Sequence, residues 1–336
     1  MKRRDRRSLR LKYLLIILLL TAIVFISSTY AWFTTNKTVT VNSIDVNVQT
    51  VTGIQISVDG INWKSTVSKD ELLAAGTTYA SNINTIPAKL EPVSTALGLN
   101  EGQLDMFYGV VKADDDTGEY MLTAVPDAPK SAGTHYIVFD IFLKTTKEIA
   151  EGGLYLTSNS GASCNGTSVG LENASRIAFI KQGNVADGAT AGEIQSLKTT
   201  NVNDIYLWEP HHTSHTAAAV AHAAATYGIT TTTSMSNNTT IPYSGIAKEV
   251  ADPGVKLGDA LQEKDGENGR FKVVTPTYKT ETGTTENTAI FGLSAGITKL
   301  RVYMWIEGQD VDCENNASGT DLQFNLKFTI DPTQIN

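Results

Sequence analysis

Leu322, Phe324, Leu326, Phe328 and Ile330 alternate with Gln323, Asn325, Lys327 and Thr329 near the end of this 336-residue chain. A period of two sends successive side chains to opposite faces of an extended strand, so this segment is expected to bury one face. The same alternation links Val39 and Val41, slips, and resumes at Ile44, Val46 and Val48; it returns at Ile54, Ile56 and Val58 and at Ile137, Phe139, Ile141 and Leu143. GLYLTS, SRIAFIK, NDIYLWE, GRFKVV and KLRVYMWIE read as further strands. Turn sequences such as Asp59-Gly60, ADDDTGE and EKDGENGR punctuate them. Roughly ten strands suit two packed sheets, so the expected fold class is all-β, a jelly-roll-like β-sandwich.

Two stretches break the pattern. SKDELLAAG, residues 68 to 76, carries Ser68 as cap, Glu71 three positions on and Gly76 as stop, which predicts a short helix. TSHTAAAVAHAAATYG, residues 213 to 228, is rich in alanine, with Thr213 or Ser214 as cap and Gly228 as stop. A Thr/Asn/Ser-rich stretch follows it, so residues of about 209 to 270 are read as a short helical and loop excursion from one β domain spanning 32–336.

The opening residues belong to a different class. Lys2, Arg3, Arg4, Arg6, Arg7, Arg10 and Lys12 precede fourteen mostly apolar positions from Tyr13 to Ile26. A basic flank with a short apolar block reads as a signal peptide over 1–31; counted through to Phe33 it would just reach across a bilayer, so a retained anchor helix is the other reading. Small residues at Thr29 and Ala31 place a cut before Trp32. Either way the remainder is extracytoplasmic, at the cell surface or secreted, and the membrane is met only through the N-terminal segment before cleavage. The leader holds seven of the 27 basic residues and one of the 35 acidic ones, leaving 20 against 34, a net of −14. That balance excludes a nucleic-acid binder.

Thr29-Tyr30-Ala31 followed by Trp32-Phe33, and then by a Thr/Val strand, resembles the TasA/camelysin family of secreted proteins of Gram-positive bacteria, which the SipW signal peptidase processes. The resemblance covers about residues 20 to 50. It implies a jelly-roll subunit of extracellular matrix fibres whose partners are the signal peptidase and copies of itself; for camelysin-like members it also implies a metallopeptidase. On physical grounds, a β-branched segment at a new N-terminus is suited to adding itself to an exposed sheet edge, with Val39, Val41, Ile44, Val46 and Val48 as the donor residues. A head-to-tail contact of that kind makes a filament when it does not close. Pairing within its own domain is the ordinary alternative for a first strand.

Other constellations offer less. His211, His215 and His222 would share a face if the helix reached back to 211, and zinc could use them. The zincin pattern needs Glu after its first His, but position 212 is His, and Pro210 with the Thr213/Ser214 cap starts the helix later. Gly292 to Gly296, GLSAG, matches a nucleophile elbow around Ser294, but a strand rather than a helix follows. Asp114, Asp116 and Glu119, and Asp310, Asp312 and Glu314, could take weak Ca²⁺ and otherwise read as solvated hairpin tips. Trp63, Trp208, Tyr303 and Trp305 could make a glycan platform for an adhesion module, or be core. Cys164 and Cys313 could pair once outside the cell or stay free thiols. The sequence therefore predicts no enzyme and no cofactor beyond weak Ca²⁺ or Zn²⁺.

Overall fold

The structure is a computed structural model, and it describes residues 39–48, 53–95, 97–113, 120–130, 135–157, 160–165, 170–211, 215–221, 244–246, 255–256, 271–273, 291–308, 310, 312–313 and 321–330. The leader, the cut site at Thr29, Ala31 and Trp32, the first acidic turn, His212, His222 and Glu314 lie outside these residues.

Among the described residues the chain is built from β-sheets, as the alternation requires. A seven-stranded sheet holds β1 (Val39–Val48), β3 (Thr66–Ser68), β4 (Lys89–Leu90), β11 (Ile149–Leu156), β12 (Gly161–Asn165), β18 (Phe291–Leu293) and β20 (Asp321–Thr329). A five-stranded antiparallel sheet has the order β14 (Ile205–Trp208), β13 (Ser175–Val185), β19 (Gly296–Ile306), β10 (Ile137–Thr145), β2 (Ile54–Ser57). The two share one apolar core. Phe179 of β13 meets Phe328 of β20 and Phe291 of β18 edge-on, with ring centroids 5.9 and 6.1 Å apart. A third sheet joins β5 (Val93–Ser94), β8 (Met106–Ala113), β9 (Tyr120–Asp127) and β16 (Val255–Lys256). A small hairpin pairs β6 (Leu99–Asn100) with β7 (Gln103–Leu104), and a separate two-stranded antiparallel sheet pairs β15 (Ser244–Ile246) with β17 (Phe271–Val273).

Alternation in β10 predicts one covered face, yet β10 is buried at every residue but Lys144, and its neighbour β19 at every residue. The second face is covered by its own cluster, in which Val93, Leu104 and Met106 pack against Val138, Tyr303 and Trp305. A sheet sandwiched between two apolar layers keeps its period of two and still reads as an almost continuous apolar run. Tyr303 and Trp305 are completely buried and Trp208 nearly so, which removes them as an exposed glycan platform.

β1 does not lie as a free arm. It runs parallel to β20 from Val41 opposite Leu322 to Val48 opposite Phe328, with an irregularity between Val41 and Ser43 where the alternation slips. Its other edge pairs with β4 at Val39 and Thr40 and with β3 from Asp45 to Asn47. The donor segment therefore fills a place inside its own sheet, because β3, β4 and β20 of the same chain offer it both edges.

Helix α1 (Lys69–Ala75) forms where the capping box predicts it: Ser68 Oγ accepts from the Glu71 backbone N–H, and the Ser68 N–H donates to Glu71 Oε2. Helix α2 (Ala191–Ser196) uses Thr190 and Glu193 in the same way and was equally legible, as Thr-x-x-Glu. No helix among the described residues is long and apolar enough to cross a membrane.

Candidate functional site

Arg176 is the second residue of β13, opposite Trp305, in an apolar strand where a charge is costly to bury unless it is partnered. It is fully buried, and its guanidinium is spent on several acceptors. Nη1 donates to the carbonyls of Asn173 and Ser175 at 3.2 and 3.0 Å. Nη2 donates to Asp310 Oδ2 and lies 3.1 Å from Glu209 Oε1. Two carboxylates from separate parts of the chain thus converge on one nitrogen. Glu209 follows β14 directly, and Asp310 follows β19; the pairing of both strands with β13 brings them together.

A second half of the cluster comes from the loop at 215 and 216. His215 Nδ1 bonds Asp312 Oδ2, and the Thr216 N–H donates to Asp312 Oδ1 at 2.8 Å. The Asp312 N–H in turn donates to Asp310 Oδ1 at 2.8 Å, which ties the two aspartates into a single turn. Gly170 closes the site at a positive φ of 90°: a Cβ there would stand 2.6 Å from Thr216 Cγ2 and 3.2 Å from Asp312 Oδ1. Glu307, two residues past the apolar run of β19 at Trp305, accepts from Trp305 Nε1 at 3.0 Å and adds a further buried acid nearby.

The electrostatics follow from burial. Desolvation drives the Glu209 carboxyl up to about 7, with Arg176 opposing the rise and Asp310 adding to it. Burial likewise raises Asp312. For His215 burial pulls the other way, but the Asp312 hydrogen bond and the charges of Asp310, Asp312 and Glu209 outweigh it and raise the imidazole. Ligand atoms of His215, Asp310 and Asp312 lie within 4.8 Å of one another, so these residues could hold a metal ion.

This arrangement rewrites the histidine reading. His211 Nε2 bonds the Ala162 carbonyl of β12, and the helical turn at 217–221 is capped by Thr216, whose Oγ1 accepts from the Ala219 N–H. Thr213 and Ser214 lie outside the described residues, and the described cap falls two to three positions later than they predict. His211 and His215 therefore precede the helix and cannot share its face; His215 is joined by aspartates rather than by His211. Asp310 and Asp312 are 5% and 1% exposed, so they are not solvated hairpin tips, because Arg176 and His215 draw them inward. Arg176 and Glu209 were missed as site residues; a lone arginine inside SRIAFIK was the signal.

Cys164 and Cys313 are not joined in a disulfide, and Cys164 Sγ lies 2.7 Å from Glu172 Oε2. Ser294 stands in a two-residue link between β18 and β19, with no helix after it, so the elbow geometry is missing. No family model, curated protein or solved structure matches this chain.

Proposed function

We propose that this chain is an extracytoplasmic structural protein, a matrix or filament subunit of jelly-roll-like fold, released by a SipW-type signal peptidase and assembling by exchange of its N-terminal strand. One observation supports the reading: β1 occupies a seat with partners on both sides, β20 on one and β3 with β4 on the other. Vacating that seat would leave the edges of three strands unpaired, and an identical strand from a second copy fits it by construction. Exchange of this kind keeps every contact of the closed monomer and changes only which chain supplies them. The β1–β20 ladder is parallel, a pairing slightly weaker per residue than the antiparallel one, which favours this strand as the one released. Its position shortly after the proposed cut at Ala31 and Trp32 would make processing the trigger. No enzymatic role is assigned.

Asn47 and Lys327 are register partners, so Asn47→Cys with Lys327→Cys reports where β1 sits. In monomers the pair should close within one chain. In filaments it should link successive chains into a covalent ladder on a non-reducing gel. Filaments whose pair closes only within each chain would refute strand exchange, and an extracellular protein that never polymerises after cleavage at Trp32 would refute the structural role.

A further inference from the structure

We propose that His215, Asp310 and Asp312 form a binding site for a divalent transition-metal ion of the zinc type, with Glu209 beside it as an additional carboxylate. The inference stands apart from strand exchange and from the helical histidine triad.

One imidazole and two carboxylates from two separated chain segments already bring ligand atoms within 4.8 Å of one another. The side chains of His215, Asp310 and Asp312 are 1%, 3% and 0% exposed, so the cluster is enclosed rather than a patch of surface acid. Mixed nitrogen and oxygen donors suit zinc or manganese, whereas calcium takes oxygen ligands alone.

His215 Nε2 and Glu209 Oε2 are buried with no hydrogen-bond partner. A buried polar atom left unpaired is costly, so two beside one ionic cluster point to a missing occupant. Glu209 reaches the cluster through its other oxygen, which shares Arg176 Nη2 with Asp310. Each oxygen of Asp310 and Asp312 takes one hydrogen bond within the cluster and still has a lone pair to give.

Glu209, Asp310 and Asp312 bring three carboxyl groups against the one guanidinium of Arg176. With all three carboxyls ionised and the imidazole neutral, the state in which they would act as ligands, the cluster carries two negative charges more than Arg176 offsets, and a divalent cation cancels two.

The test is zinc binding to the full chain, measured against a chromophoric chelator with calcium as the control ion. One equivalent of zinc should bind and calcium should not displace it. His215→Gln and Asp310→Asn should each weaken binding beyond the roughly 10–100-fold typical of a lost outer-shell partner. X-ray absorption of the zinc-loaded wild-type protein should show one imidazole among oxygen ligands, a readout that holds even where a variant fails to fold. Absence of zinc binding by the wild-type protein overturns the proposal. So does a coordination shell with sulfur or several imidazoles, or affinity unchanged in a folded His215→Gln protein.

Discussion

Asp140 of β10 stands directly opposite Arg301 of β19, and its Oδ1 accepts from Arg301 Nε at 2.7 Å while Oδ2 accepts from Nη2 at 3.0 Å. This fork-to-fork pair is buried in the middle of the five-stranded sheet, with Lys299 at 3.4 Å and the Tyr79 hydroxyl donating to Oδ2 at 3.2 Å. Arg301 also donates to the Gly102 carbonyl, and Lys299 to the Gln195 carbonyl, so the pair ties β10 and β19 to the β6–β7 hairpin and to α2. Breaking a buried pair from one side strands a charge without solvent. Asp140→Asn should therefore cost about 3–5 kcal/mol in urea unfolding of the full chain.

Acid should act through the same carboxylate. Burial alone would raise Asp140, but Arg301 and then Lys299 hold it below the usual carboxylate range. A depressed folded pKa contributes stability that is complete above the unfolded value, about 3.9, and is lost as pH falls through the folded value. Melting temperature should thus drop as pH falls below about 4, and Asp140→Asn should flatten that part of the profile.

His135 should behave with the opposite sign. Its Nδ1 bonds Asp127 Oδ2 at 2.9 Å, with Glu91 3.3 Å from Nε2, and the Asp127 hydrogen bond raises the imidazole against the pull of burial. Its contribution is present below the unfolded value, about 6.5, and is lost as pH rises through the folded one. NMR titration should find His135 above the ordinary histidine range, and Asp127→Asn should bring it down.

Gly296 is where the GLSAG segment carries structural weight. Its φ is 110°, and a Cβ there would stand 2.2 Å from the Val185 carbonyl oxygen. Gly296→Ala should destabilise the fold by at least roughly 1–3 kcal/mol, the range for a forced backbone outlier. Ser294 is exposed in the adjoining link, and Ser294→Ala should leave denaturant unfolding within about 0.5 kcal/mol of wild type.

Thr190 caps α2 through Oγ1, with Glu193 completing the box. Thr190→Ala should cost about 0.5–2 kcal/mol and loosen the Ile194 contact with Phe142 and Ile297. Hydrogen exchange at the Glu193 amide should rise correspondingly.

Much of the strand set was legible because alternation is a local property: β1, β2, β10, β13, β14, β19 and β20 all arise where it runs, and even the slip between Val41 and Ser43 survives as a register irregularity. The capping boxes at Ser68 and Thr190 are equally local, since each is made by two residues three positions apart. Which strand is central was not local. The seat of β1 depends on edges that β3, β4 and β20 supply from positions up to about 280 residues away, and the second cover over β19 depends on Leu104 and Met106. The buried ionic cluster follows the same rule: Asp310 and Asp312 read as solvated turns until Arg176, on a strand 134 residues earlier, meets Asp310 through the pairing of β13 with β19. The sequence determined what is extended, what is capped and which residues carry charge, because those depend on neighbours along the chain. Only the tertiary structure decided which charges leave water and which strand is enclosed, because desolvation and edge pairing are set by what packs across from a residue.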